Sequence, residues 1–311
     1  MAERPPLVAL FGATALGKSD VADGLAAELD AEIVVADSMQ VYRGLPILTN
    51  QSAAAGGGTR HLVGLIEPQR EFSVAEYGEL SHEAIDDALA RGRAVIVEGG
   101  SGLYLRAALG DLSYAAAPEP ELRRTLEERW ARDPQDVLAE LRSADPATFA
   151  RLDHANGRRV VRALEAVRLS GAPLPEAAHA RLWRTPERYA HRLFTLRPED
   201  DRSALRARIE VRVDEMLARG ALDEVRRARA EGPFSRTALQ AIGVRELCAV
   251  LDGELALREA AVRMKARTRA LARRQLTWMR RIPDATDVPV EGRPAGSVAA
   301  EIADLVRTCA W

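Results

Sequence analysis

The sequence predicts an α/β fold, a parallel sheet flanked by helices with an all-helical subdomain inserted into it. Three observations carry that prediction. Buried-type apolar runs alternate with amphipathic helical stretches through roughly the first hundred residues, a glycine-rich turn joins the first run to the first helix, and the strand signal stops after about residue 112. A chain of 311 residues exceeds the usual size of a single core. The expected organisation is residues 1–112 as the first part of the core, 113–185 as the helical insertion, and 186–311 as the rest of the core with basic C-terminal helices.

The first element is "LVALF", a continuous apolar run fit for a strand buried on both faces. It runs into Gly12, Ala13, Thr14, Ala15, Leu16, Gly17, Lys18 and Ser19, which match G-x-x-x-x-G-K-[ST]. In such a phosphate loop, backbone N–H groups and a helix N-terminus cradle phosphoryl oxygens. Multiplying residue frequencies gives roughly one chance match per thousand chains of this size. Lys18 and Lys265 are the only lysines among 44 basic residues, so a lysine in the loop stands out in an arginine-rich chain. A compact ammonium suits a place between two phosphates better than a planar guanidinium. Val21, Leu25 and Leu29 come next at helical spacing on one face.

"AEIVVA" and "RAVIVEGG" are the second and third strands, separated by the helical stretch "SVAEYGELSHEAIDDALARG". In doubly wound sheets, ligands sit at the carboxyl ends of strands, which is where Asp37 and the segment from Glu98 to Gly100 fall. Asp37 opens "ADSMQVYRGL", dense in hydrogen-bonding side chains. "AAAGGGTRH" reads as a flexible loop near that edge. Farther along the chain, "PEPELRRTLEERW" and the residues after it carry helical periodicity with prolines at helix starts. Within this insertion Arg158, Arg159 and Arg162 lie within a turn of one another, opposite Val161, Leu164 and Val167. That face suits nucleic-acid phosphates or plain solvent equally. Residues 258 to 281 hold nine Arg or Lys against one acid, with Met264, Leu271 and Trp278 along one stripe. Such a helix suits a polyanion, or the surface of an arginine-rich chain.

Composition narrows the classes. With 47% hydrophobic and 29% charged residues and no apolar run of membrane-spanning length, the chain reads as globular, without a membrane partner. "MAERPPLVAL" puts an acid and two prolines where a secretory signal carries cations and a long apolar middle, so the cytoplasm is the expected compartment. Cys248 and Cys309 offer no CxxC spacing and are read as packing residues. A net charge of −2 rules out a globally basic coat and leaves the local arrangement of charge to decide. A small-molecule kinase using ATP would share the loop and a helical lid, and a non-catalytic RNA-binding module would share the basic faces. The kinase leaves the basic helix unexplained, and the RNA module leaves Asp37 so.

Taken together, "GATALGKS", "ADSMQVYRGL", "FSVAEY", "GGSGLY", "NGRRVVRALEAVRLSG", "RARIEVRVDEMLARGALDEV", "AIGVREL" and "RALARRQLTWMRR" resemble the tRNA dimethylallyltransferase family, in the family's order and over nearly the whole chain. The resemblance implies a P-loop NTPase-like fold. It also implies a monomeric enzyme that moves a dimethylallyl group from dimethylallyl diphosphate to the N6 amine of the adenine 3′ to the anticodon, with Mg²⁺ and without consuming ATP. By the same resemblance, Gly12 to Ser19 with Arg208 bind the diphosphate, Ser19 orients the metal, and Asp37 accepts the amine proton. Asp37, Ser38, Met39 and Gln40 would bind the tRNA, with Ser38 and Gln40 reading the edge of the flipped adenine. Ser101, Arg123, Arg158, Arg159, Val160, Val161 and Arg162 would touch the tRNA anticodon stem-loop, as would Gln240, Ala241, Ile242, Gly243, Val244 and Arg245. The chain departs from the pattern at Ala13, Leu16, Leu48, Gln51, Glu98, Gly157, Gln240 and Val244, most of which bear on the RNA contacts.

Overall fold

The computed structural model describes residues 5–52, 58–112, 119–174, 187–198 and 202–308. They form two compact units, Met1–Gly110 with Glu187–Trp311, and Asp111–Pro186. The expected boundaries at 113 and 185, most of the "AAAGGG" loop and Cys309 lie outside the described residues.

In the first unit, β1 (Leu7–Gly12) is buried throughout, as a strand covered on both faces must be. It passes through the glycine-rich loop into α1 (Lys18–Leu29), which packs Val21 and Leu25 inward. β2 (Ala31–Ala36), also fully buried, is followed by α2 (Pro46–Thr49) and the two-residue β3 (Arg60–His61). α3 (Val74–Ala90) starts at Ser73, whose hydroxyl accepts the Glu76 N–H. β4 (Ala94–Gly99) and α4 (Gly102–Leu109) complete this half.

The second unit is helical. α5 (Pro120–Arg132), α6 (Pro134–Ala144) and α7 (Pro146–Arg151) each begin with proline behind an acidic cap, and α8 (Gly157–Ser170) ends at Gly171 with φ 65°. Proline suits a first turn because the N–H it lacks has no intrahelical partner there. Leu126, Val137, Leu141, Val160 and Leu164 form this unit's own core.

The chain returns to the first unit as β5 (Arg192–Arg197), α9 (Ser203–Ala218), α10 (Ala221–Ala230), α11 (Val244–Leu251), α12 (Leu257–Met279), β6 (Thr286–Pro289) and α13 (Ala295–Arg307). The six strands lie in the order β3-β2-β4-β1-β5-β6, every pair parallel. Val8, Leu10, Ile33 and Phe194 from the sheet pack with Leu25 of α1 and Ile302 of α13. Of the strands, β1, β2 and β4 are legible as apolar runs, whereas β3, β5 and β6 are short or carry charged ends and give no such signal. No helix among the described residues is long and apolar enough to cross a membrane. Cys248 is half-buried, and burial pushes its thiol up, away from the reactive thiolate.

The stripe expected on the basic helix is corrected. α12 buries Ala260, Met264, Thr268, Ala272, Gln275, Leu276 and Met279, while Leu271 is half-buried and Trp278 is 38% exposed. Residues seven apart drift about 20° per heptad on a straight helix, and two polar residues hide the true stripe.

Candidate active site

The phosphate loop connects β1 to α1 with two residues in the left-handed region, Ala15 at φ 63° and Gly17 at φ 73°. Glycine takes that conformation freely, whereas alanine costs about 1 kcal/mol, a strain typical of functional loops. Ala13 and Leu16 are buried, so their departures from the family pattern affect packing under the loop. The Thr14 N–H donates to Gln275 Oε1 on α12 at 2.8 Å, which removes one donor from the expected phosphate cradle.

Lys18 Nζ lies 3.1 Å from Glu98 Oε2, at the end of the neighbouring β4. Glu98 is fully buried, and its other oxygen accepts from Arg60 at 2.5 Å. Arg60 also reaches Asp23 at 2.7 Å and the Ser19 carbonyl at 3.3 Å. Burial alone would raise the Glu98 carboxyl, but Lys18 and Arg60 outweigh it and hold it below the usual range.

Asp37 follows β2 at the same carboxyl edge. Its Oδ1 accepts the Met39 N–H at 2.8 Å, closing a local turn, and its other oxygen makes no hydrogen bond among the described residues. Ser38 and Met39 are half-buried. Gln40 is buried, with its backbone carbonyl accepting the Gly64 N–H. The segment is held at its far end by the buried Glu224 of α10, which accepts the Ile47 and Leu48 N–H groups at 2.8 and 2.9 Å. Leu48 packs where a side chain on Gly243 (φ 106°) would collide with it. Gln51 Nε2 donates to the Tyr42 carbonyl at 2.6 Å. Both departures are thus structural here.

α9 brings Arg208 to the loop, where its Nε donates to the Ala15 carbonyl at 2.9 Å and its Nη1 and Nη2 to Glu291 at 2.6 and 3.2 Å. One turn later stands Arg212, a residue that the sequence patterns had not singled out. Burial lowers its guanidinium while Asp37 and Asp20 raise it, and it makes no hydrogen bond or ion pair among the described residues. Its i+4 relation to Arg208 on a helix was the available signal.

The RNA-facing expectations divide. Arg158 and Arg159 are exposed at the start of α8. Arg162 instead pairs with the fully buried Glu165 at 2.7 Å, which Arg123 shares at 2.5 Å. The two cations outweigh burial and lower the Glu165 carboxyl. Val160 and Val161 are buried in the helical core and offer no side chain to RNA, which corrects that assignment. Gly157 lacks a Cβ where the Trp130 indole lies. Ala241, Gly243 and Val244 are likewise buried, Ile242 and Gln240 are half-buried, and the Gln240 amide donates to the Arg236 carbonyl. Arg245 alone of this stretch is exposed. Ser101 caps α4 without a side-chain hydrogen bond to it.

α12 is less free than its charge count implied. Lys265 pairs with Asp214, Arg269 with Glu210, and Arg267 with Glu246, so these cations join α12 to α9 and α11. Arg258, Arg263, Arg273, Arg274, Arg280 and Arg281 remain exposed.

A family model described as IPP transferase matches residues 40–282. The chain is similar to the tRNA dimethylallyltransferase of Bordetella petrii, at 39% identity over 98% of this chain and 99% of that one. It is 41% identical to tRNA dimethylallyltransferase 1 of Pelobacter propionicus over 90% of this chain and 91% of that one. Among solved structures, the full-length tRNA isopentenylpyrophosphate transferase of Bacillus halodurans aligns with TM-score 0.70 and 32% identity, covering 97% of this chain and 95% of that one. A eukaryotic dimethylallyltransferase acting on tRNA aligns with TM-score 0.76 and 25% identity, covering 97% of this chain and 80% of the other.

Proposed function

Because the chain belongs to the IPP transferase family, we propose a division of labour for its reaction, transfer of a dimethylallyl group from dimethylallyl diphosphate to the N6 amine of the adenine 3′ to the anticodon in tRNA. The observation that carries the assignment is the approach of Arg208 to the Ala15 carbonyl, which puts a second cation against the loop that carries Lys18, at the same strand edge as Asp37. Lys18, Arg208 and the loop N–H groups not used elsewhere hold the diphosphate, and Arg212 adds to its field. As the carbon–oxygen bond breaks, the charge growing on the leaving group meets donors already in place. The adenine amine is a feeble nucleophile because its lone pair is delocalised into the ring. The Asp37 oxygen not used by Met39 takes its proton as the nitrogen–carbon bond forms. A stacked base cannot reach a strand-end pocket, so the nucleotide turns out of its stack, and Ser38 and Gln40 read its edge.

The residues present fit Mg²⁺. Ser19 offers a half-buried hydroxyl on the first turn of α1. A single hydroxyl beside a diphosphate suits a cation that keeps several waters and takes phosphate oxygens as ligands. Bound through Ser19, it would supply charge neutralisation to the leaving group. Arg158 and Arg159 take the phosphates of the anticodon arm, and the enzyme works as a cytoplasmic monomer.

The test is incubation of an anticodon stem-loop RNA with dimethylallyl diphosphate and Mg²⁺, followed by mass spectrometry. One dimethylallyl group on a single adenine is the expected product. ATP that raises the melting temperature while dimethylallyl diphosphate does not would overturn the reading.

A further inference from the structure

Both cations assigned to the diphosphate are already paired with carboxylates of this chain: Lys18 with Glu98 at 3.1 Å, and Arg208 with Glu291 through two hydrogen bonds of 2.6 and 3.2 Å. The two carboxylates come from different elements, Glu98 from β4 and Glu291 from the turn after β6. The carboxylates are the shielded partners: Glu98 is fully buried, and Glu291 has 16% of its side chain exposed against 39% for Arg208. We propose that Glu98 and Glu291 are built-in competitors of the diphosphate for Lys18 and Arg208, and that they set how readily the product diphosphate leaves. The proposal rests on the assignment of this pocket to the diphosphate.

Charge sets the direction of the effect. A phosphoryl oxygen and a carboxylate oxygen seek the same N–H donors, and an arginine fork fits either one bidentately. Diphosphate must therefore displace or share the Glu291 contacts, and each nearby negative charge also repels it. Binding that is too tight holds the product without helping the bond-breaking step, so weakening it favours turnover. Glu98 differs in detail. In phosphate-loop NTPases an acid near this place helps hold the metal. Here both Glu98 oxygens already accept from cations, Lys18 and Arg60, which favours an ion-pairing role. Arg60 offsets the Glu98 charge and is itself tied to Asp23 at 2.7 Å, so Lys18 faces a carboxylate that is anchored from behind.

Calorimetric titration with inorganic diphosphate tests the idea in the full-length wild type, Glu291→Gln, Glu291→Asp, Lys18→Ala, and the paired change Glu98→Gln with Arg60→Gln. The paired change removes one charge of each sign and avoids stranding a buried cation. Glu291→Gln is expected to bind diphosphate about tenfold tighter, with product inhibition appearing at about tenfold lower diphosphate and kcat falling as release slows. Glu291→Asp should stay near wild type, and the paired variant should bind several-fold tighter. A gain in affinity is a result that structural damage does not produce. Unchanged or weaker binding in Glu291→Gln overturns the proposal, provided Lys18→Ala has lost affinity. Wild-type affinity in Lys18→Ala overturns the pocket assignment itself.

Discussion

The side-chain oxygen of Gln275 accepts the backbone N–H of Thr14 at 2.8 Å, across 261 positions of sequence. The bond fastens α12 to the phosphate loop, and Gly100 leaves the room that the Gln275 amide occupies. Gln275→Leu keeps the apolar packing of the helix but leaves the Thr14 N–H without its partner, at a cost of about 1–3 kcal/mol. The expected outcome is a melting temperature lower by a few degrees, with affinity for the RNA stem-loop unchanged. Circular dichroism melts and fluorescence anisotropy separate the two.

Asp37 should act in the transfer step more than in binding. Asp37→Asn keeps an oxygen for the Met39 N–H but loses basicity, so single-turnover transfer at saturating RNA and diphosphate should slow about a hundredfold or more. A near-normal rate would leave Asp37 as an orienting acceptor only.

Arg158 and Arg159 are predicted to contribute to RNA affinity through phosphates. Changing both to Gln should weaken binding and make the plot of log affinity against log salt shallower by about one to two units, because each phosphate contact releases about one counterion. Arg162→Gln should behave otherwise. Its partner Glu165 is buried, so the change should lower the melting temperature while leaving the salt slope in place.

Stability should depend on Glu32. Arg91 donates to both its oxygens and His61 lies at 2.7 Å, and these contacts, led by Arg91, overcome burial and bring the carboxyl down to about 2 from its ordinary 4.5. A carboxylate lowered in the folded state stabilises the fold above its unfolded value, and that contribution is lost as pH falls through 4.5 toward 2. Wild type should therefore lose melting temperature more steeply than Glu32→Gln between pH 5 and pH 2, and the variant should melt lower at pH 7. Parallel curves in circular dichroism melts would contradict this.

The class of the fold and the glycine-rich turn with Lys18 were legible in the amino-acid sequence, because both are local. A strand buried on two faces must be a continuous apolar run, and a turn at positive φ favours glycine wherever it occurs. Asp37 at the end of "AEIVVA" was legible for the same reason, since the place of a residue after a strand is set by its neighbours in the chain. What each charge meets was left to the packing of distant segments. Glu98 looked like an oddity until β4 lay beside β1, and Arg212 was one arginine among many until α9 turned it toward Asp37. Arg162, Lys265, Arg267 and Arg269 resembled a nucleic-acid surface as a set of charges, yet each is paired within the chain. Val160 and Val161 sat beside those arginines in sequence and turned into the core. Side chains one position apart on a helix point about 100° apart, and ion pairs form between groups that only folding brings within a few ångströms, so no local pattern encodes them.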